Sequence, residues 1–487
     1  MKMDPDLSPD AKSYMKWPML TLLTFTTIVG FEDVIYPFQN QGLSVIFSWI
    51  FMAVAYVLPY GLISAQMGST FNEAGGGLAS WSKHALGEGA GYWTGWMFWA
   101  SLMPYTVDVA NSVIVSLSWT ILGNNSLDKY MTNVMFGIFT FVVIGLFLVF
   151  QNLVQKSLEI LGMLAGGAMF IMTVLFVIMT VVGLKQGIHI ATQPFTWSAF
   201  IPKFDTHYFA TTGLLVFAVS GAEIGAAYVT KLRNPKSEFP KAMYLLIVLT
   251  VFLTVFGSLA LGVFFNAHHL PNDLKMNGAF YAFDRLGQSL GLGKLMLHIY
   301  SFVSFIYMLS QLGVLLDASS RVLSGDASDR YMPSWMRKLD RTGRPIHAYT
   351  LTALLCLFLL LLSGTLPSIN SIFNWLLNLN GIVTPYKSCW LFLGFIALRL
   401  HEDRFDSPFV FIKHKGLAIT VGVWGFVFAF VCASLGVLPQ EGAVWSGLWW
   451  HELAMNIVSV AVLFGVGGIM PILARREQKN VVAEALT

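Results

Sequence analysis

Two apolar stretches of this chain carry acid at their midpoints, and in each the acid follows a glycine. The first reads Thr26-Thr27-Ile28-Val29-Gly30-Phe31-Glu32-Asp33, inside a run that begins near Trp17. The second reads Phe217-Ala218-Val219-Ser220-Gly221-Ala222-Glu223. A carboxylate at bilayer depth is costly unless it is paired, protonated or facing water, so it is a functional candidate. Breaks at corresponding places in two halves of a membrane chain point to a solute site. An unwound helix frees N–H and C=O groups that hydrocarbon cannot satisfy, so it persists only where protein or a wet cavity supplies partners. N–H groups at a half-helix N-terminus favour a carboxylate, and carbonyls at the opposing end favour an ammonium. A zwitterion fits both. The residues this assigns to binding are Ile28, Val29, Gly30, Glu32, Ser220, Gly221 and Glu223. The competing reading of the two glycines is close helix packing, which is common in membranes.

Neighbouring helical residues point about 100° apart, so Glu32 and Asp33 cannot both look squarely into one cavity. Glu32 is the expected inward group, with Asp33 capping the second half-helix. Two further charges lie at depth: Asp108 one turn after Pro104, and Lys387 two residues after Pro385. They are expected to form an ion pair, either as an outer gate or as a permanent strut. The deep acids outnumber the single deep base. That surplus suits a cationic substrate, or a proton carried on a buried carboxyl. Trp99, Tyr105, Asn111, Asn378 and Asn380 either line the same cavity or bond between helices.

The elements that position these residues are membrane spans. Of 487 residues, 56% are hydrophobic and 11% charged, whereas a soluble domain carries about a quarter charged residues. A crossing helix needs roughly 20 apolar residues. On that scale there are twelve spans, at about 17–38, 43–67, 91–121, 132–152, 158–184, 207–230, 241–265, 292–319, 348–364, 370–398, 416–437 and 449–473. Ile28 then lies roughly 17 Å along the first, near mid-membrane. Of the 29 Lys and Arg, 22 fall on one side if both termini are cytoplasmic, and only 6 opposite, with Lys387 inside a span; this bias supports that orientation in the cell membrane. The chain divides into a cytoplasmic tail (1–16), one transmembrane unit (17–473) and a second cytoplasmic tail (474–487). Within the unit, spans 1–5 (about 17–184) and 6–10 (about 207–398) are read as halves related by inversion, followed by helices 11 and 12 (about 416–473). The net charge of +3 is too small to suggest nucleic acid. The three cysteines, Cys356, Cys389 and Cys432, lie far apart in apolar runs and suggest neither disulfides nor a metal. No cofactor is expected. The expected partners are a small solute, the lipid bilayer and a candidate proton, with the chain a monomer or homodimer.

Several stretches resemble the amino acid-polyamine-organocation superfamily. Glu73-Ala74-Gly75-Gly76-Gly77 through Trp81 and on to Gly95-Trp96 is similar to its glycine-rich signature after the second span. Phe217 to Glu223 resembles its Phe-x-x-x-Gly-x-Glu segment. Asn234-Pro235 with Pro240 and Ala242, and Ser320-Arg321 with Pro333 and Gly343-Arg344-Pro345, match further motifs. Pro59-Tyr60-Gly61-Leu62 and Ser407-Pro408-Phe409-Val410 most resemble the glutamate/γ-aminobutyrate antiporter branch. The resemblance implies an all-α integral membrane protein of twelve helices with a LeuT-like 5+5 inverted repeat, helices 1 and 6 discontinuous. It implies a site between spans 1, 3, 6, 8 and 10 and alternating access. It also implies a secondary transporter of amino acids or their amine derivatives, an antiporter, with a proton-coupled symporter of a cationic amino acid or polyamine as the alternative. Under it, Glu223 couples transport or links the halves, the other reading being a static bond to the first span. Phe217 is a lid over the substrate, or one more core aromatic. One feature departs: many relatives carry Gly-Ser-Gly at the first break, where this chain has a single glycine. A membrane enzyme would need a catalytic cluster, and His268-His269 lacks ligand spacing. A channel or non-transporting sensor is the remaining competing class.

Overall fold

The computed structural model describes residues 15–28, 30–72, 77–325, 330–339 and 345–485, with backbone alone at 26–28, 128–129, 150–163, 227, 317–325 and 480–485. Val29, Glu73 to Gly76, Gly343 and Arg344 lie outside the described residues, as do positions 1–14. The chain is helical throughout: α1 (Trp17–Ile28), α2 (Phe31–Gln41), α3 (Val45–Met52), α4 (Leu58–Thr70), α5 (Gly77–Leu86), α6 (Glu88–Leu122), α7 (Leu127–Tyr130), α8 (Asn133–Lys185) and α9 (Thr206–Ala210). There follow α10 (Thr212–Val219), α11 (Pro235–Phe264), α12 (Leu274–Ser289), α13 (Leu295–Gly325), α14 (Ser334–Arg337), α15 (Ile346–Ser363), α16 (Ile369–Leu400), α17 (Lys415–Gly436) and α18 (Gly447–Ala485). Among the described residues, pairing of the extended kind is limited to one bridge, Met15 with Leu232.

Among the described residues, ten helical segments are long and apolar enough to cross a membrane. Large apolar side chains such as Val54, Ile121, Leu164, Ile171 and Leu361 are exposed, as expected where the solvent is hydrocarbon. These ten segments do not confirm the count of twelve, and the expected gap between spans 4 and 5 is not seen. The predicted loop near 153–157 is absent, and α8 runs unbroken for 53 residues, about 80 Å at 1.5 Å per residue. Gln151, Asn152, Gln155, Lys156 and Ser157 are polar but include no glycine or proline, so nothing there stops helical hydrogen bonding.

Both predicted breaks are present. Helix α1 stops at Ile28 and α2 starts at Phe31, with Gly30 extended between them. Helix α10 stops at Val219, Ser220 is extended, and Gly221 takes φ +130°, a conformation that side chains other than hydrogen rarely adopt. The chain resumes as a 3₁₀ helix over Ala222–Lys231, and such mid-span 3₁₀ stretches mark hinges or strain. Helix α1 packs on the 222–231 segment while α2 packs on α10. The two broken spans therefore run antiparallel, first half beside second half, and their interruptions meet. The Met15–Leu232 bridge, with the Met15 N–H donating to Lys231 O at 2.9 Å, ties them at one end of the bundle. Close contact of backbones holds α10 on α16: a Cβ on Gly213 would lie 2.2 Å from Gly381 O.

Candidate functional site

The second break is built into a polar cluster from three directions. Span 2 contains a π-wound turn, Ala53–Val57, between α3 and α4, an insertion often found at functional sites. It brings Tyr56 and Tyr60 onto one face, stacked with ring centroids 5.0 Å apart. The Tyr56 hydroxyl pairs with Ser220 Oγ at 3.1 Å, and Ser220 Oγ itself donates to Val216 O at 2.6 Å. The Tyr60 hydroxyl accepts from the Gly221 N–H at 3.0 Å and donates to Glu223 Oε2. Glu223 Oε1 accepts from Lys387 Nζ at 2.5 Å, with the two side chains 1% and 5% exposed. The Lys387 ammonium also lies 5.2 Å from the centre of the Phe98 ring. The unwound backbone, the acid and the base thus form one network joining span 2, the broken span 6 and α16.

This arrangement corrects the expected Asp108–Lys387 pair. Lys387 is bound to Glu223, while Asp108, 2% exposed, has an Oδ1 without a hydrogen-bond partner among the described residues. Asp108 lies one turn after Pro104 and Lys387 two residues after Pro385, and sequence distance could not say which acid Lys387 would meet.

At the first break the acids divide their work. Asp33 Oδ2 accepts from the Gly30 N–H at 2.7 Å, capping α2 as expected and occupying a donor that the sequence reading had offered to substrate. Glu32 turns the other way, accepting from the Tyr300 hydroxyl of α13. It lines a small chamber of about 20 Å³, room for about one water. Ile28 ends α1, and its side chain, like Val29, is outside the description. Asp108 stands within electrostatic range of Glu32 and Asp33, so three carboxyl groups share one region of the bundle.

Between the breaks and one end of the bundle lies an aromatic plug. Phe217 meets Tyr105 edge-on at 5.7 Å and packs with Tyr36, Leu214 and Leu377. Tyr105 accepts from Gln311 Nε2 at 2.6 Å. Buried polar atoms without partners among the described residues cluster on the surrounding spans: both side-chain ends of Asn380, Asn111 Nδ2 and Gln311 Oε1. These are groups a polar ligand could satisfy, and leaving them bare is costly. Trp99 and Asn378 act elsewhere, Trp99 on Thr352 and Asn378 on Glu452.

Beyond the plug, at the end opposite Met15, a cavity of about 430 Å³ opens among α2, α9, α12, α16 and the loop before α18, a volume suited to a small solute. Lys275 lines both this vestibule and the Glu32 chamber. Burial holds its ammonium down to a pKa of about 8, partly offset by Glu441 and Glu452. Sequence reasoning missed Tyr56, Tyr60, Tyr300, Gln311 and Lys275. Only the i, i+4 spacing of the two span-2 tyrosines carried a signal.

Comparison with known proteins places these features in context. A family model described as amino acid permease matches residues 15–462. The chain is 34% identical over 474 residues to the aspartate/glutamate permease AcaP of Lactococcus lactis subsp. cremoris (strain MG1363), covering 96% of this chain and 97% of that protein. It is 23% identical to the probable agmatine/putrescine antiporter AguD of Lactococcus lactis subsp. lactis (strain IL1403), over 80% of each chain. It is 25% identical to the glutamate/gamma-aminobutyrate antiporter of the former strain, over 46% of this chain and 44% of that one.

Proposed function

The chain belongs to the amino acid permease family, and on that premise we propose that it carries acidic amino acids across the cytoplasmic membrane by alternating access. That it is an amino acid transporter or antiporter, and not an enzyme, follows from the family and its relatives. The observation that carries the mechanism is the antiparallel pair of broken spans, interrupted at Gly30 and at Ser220-Gly221. Substrate sits between them, against Gly30, Glu32, Phe217, Ser220, Gly221 and the unpartnered Asn380. The Glu223–Lys387 pair keeps the second break in place. The two halves, about 17–184 and 207–398, move as an inverted repeat of the LeuT kind within a twelve-span frame, with both termini cytoplasmic and α17 and α18 outside the repeat. The likeness to AcaP over nearly its whole length supports an acidic substrate.

Exchange of one amino acid for another is the primary mode. A second reading, proton symport, is favoured by one observation: Asp108 has an unpartnered carboxyl oxygen beside Glu32. An anionic substrate entering a site already rich in carboxyl groups needs a compensating positive charge, and a proton on Asp108 or Glu32 supplies it.

The test is uptake of labelled L-aspartate into liposomes preloaded with aspartate, glutamate, γ-aminobutyrate, agmatine or putrescine. Counterflow driven by aspartate or glutamate is the expected result. Counterflow with agmatine or putrescine alone overturns the acidic assignment, and absence of flux with every solute overturns the carrier itself. Uptake that accelerates when the outside is acidified, and stops doing so in Asp108→Asn, selects symport.

A further inference from the structure

The vestibule has features of a binding site in its own right. Lys275 is 6% exposed and Glu452 4% exposed, yet they are served very differently. Glu452 accepts from the Gln440 N–H at 3.2 Å, the Glu441 N–H at 3.0 Å and Asn378 Nδ2 at 3.2 Å. The Lys275 ammonium makes no hydrogen bond or ion pair among the described residues, its nearest influences being the fields of Glu441 and Glu452. An ammonium that lines a cavity on a side chain this buried, with no carboxylate in contact, favours an anionic ligand.

Four more polar atoms lining the same cavity are buried and unpartnered among the described residues: Asn40 Nδ2, Asn370 Oδ1, Asn374 Oδ1 and Gln440 Oε1. The wall around them is braced. Gln39 Oε1 accepts from the Lys275 N–H at 2.6 Å, and Gln39 Nε2 and Asn370 Nδ2 both donate to Asn272 O at 3.0 Å. Glu441 is fixed by Asn374 Nδ2 at 2.8 Å. The vestibule and the Glu32 pocket are distinct cavities that share only Lys275 of their linings, and Tyr36, Leu377 and Phe217 pack together as an apolar cluster nearby, so the vestibule can hold a ligand while the central site holds another.

We propose that the vestibule is a second binding site for an acidic amino acid, with the side-chain carboxylate on Lys275 and the α-ammonium toward Glu441. It rests on the reading that the chain carries acidic amino acids, and adds to it a station where they are selected before they reach the breaks. The unpaired cation accepts a solute with two carboxylates and rejects its uncharged amide analogue, for which the ammonium has no counter-charge. Because Lys275 also borders the Glu32 chamber, it stands on the route from the vestibule to the first break. At neutral pH Lys275 carries its charge, since burial lowers its pKa only to about 8.

The probe is labelled L-aspartate, bound at equilibrium to the purified full-length chain in lipid nanodiscs, with L-asparagine as competitor. Wild type is expected to bind two aspartates and to prefer aspartate over asparagine about tenfold or more. Lys275→Cys is expected to bind one and to lose that preference. The native cysteines are buried, so 2-aminoethyl methanethiosulfonate can be directed at the new thiol. The ammonium it installs should restore the second aspartate, whereas the sulfonatoethyl reagent should not. Binding of the same number with the same affinity before and after Lys275→Cys overturns the site. So does recovery with both reagents, because charge is then irrelevant. Liposome uptake is measured in parallel on wild type. Uptake with binding indifferent to Lys275→Cys refutes the vestibule site and leaves the carrier standing, and Lys275-dependent binding without uptake refutes the carrier and leaves the vestibule.

Discussion

Removing Lys387 is the most demanding test of the network at the second break. Its nitrogen lies 2.5 Å from Glu223 Oε1, which at an effective dielectric of about 20 corresponds to a gross attraction of roughly 6–7 kcal/mol. Desolvating two side chains that are 5% and 1% exposed consumes several kcal/mol per ion, so the intact pair is close to neutral for stability. Breaking it is not neutral. Lys387→Met leaves Glu223 buried with only Tyr60 as donor among the described residues, a loss of about 3–5 kcal/mol. If half of that appears in the barrier to irreversible unfolding, inactivation at fixed temperature accelerates roughly tenfold or more. The double variant Lys387→Met/Glu223→Gln removes the stranded charge and should return to within about threefold of wild type. The assay is the decay of monodisperse protein in detergent during heating, for wild type, both single variants and the double. If the double variant decays as fast as the two single effects multiplied together, the residues are not coupled and the pairing is refuted.

Four further outcomes follow from the same geometry. Gly213→Ala places a methyl group 2.2 Å from Gly381 O, backbone that cannot step aside, so folded yield measured by size-exclusion fluorescence should collapse; normal yield refutes the close approach. Gly221→Ala imposes φ +130° on a residue with a Cβ, which should cost about 1–3 kcal/mol and speed thermal inactivation without touching the interface of α10 with α16. Tyr300→Phe removes the hydroxyl that holds Glu32, and should weaken aspartate affinity by about tenfold if Glu32 faces substrate; an unchanged affinity makes Glu32 scaffolding. Finally, Lys275 has its pKa lowered by burial to about 8. It is charged below that pH and neutral above it, so vestibule affinity for aspartate should fall as pH rises through about 8, with no such fall in Lys275→Arg. For stability the sign is opposite: the unfolded chain holds this proton up to its ordinary, higher pKa, so this group's contribution improves as pH rises past about 8.

Much of this protein is legible in one dimension because a membrane imposes one-dimensional rules. Roughly 20 apolar residues must recur for each crossing, so span positions and the helical class follow from composition and run length. The two breaks could be placed because Gly30 and Ser220-Gly221 combine chain flexibility with an acid that hydrocarbon does not tolerate without a partner or water. Where the rule is absent the reading failed: the polar residues 151–157 looked like a loop, yet they contain no helix breaker and α8 passes straight through them. Partner choice was beyond the sequence. The sequence pointed to Asp108 as the partner of Lys387, and the packing of α10 on α16 and of α4 on the 222–231 segment decided for Glu223. The π-wound turn that stacks Tyr56 on Tyr60 has no local signature. Nor does the vestibule: nothing in the sequence marks out Lys275, around which α12, α16 and the loop before α18 close. Run length and residue type determine what must cross the bilayer and where it must break. Which buried charge meets which depends on helix rotation and crossing, set by contacts between residues hundreds of positions apart.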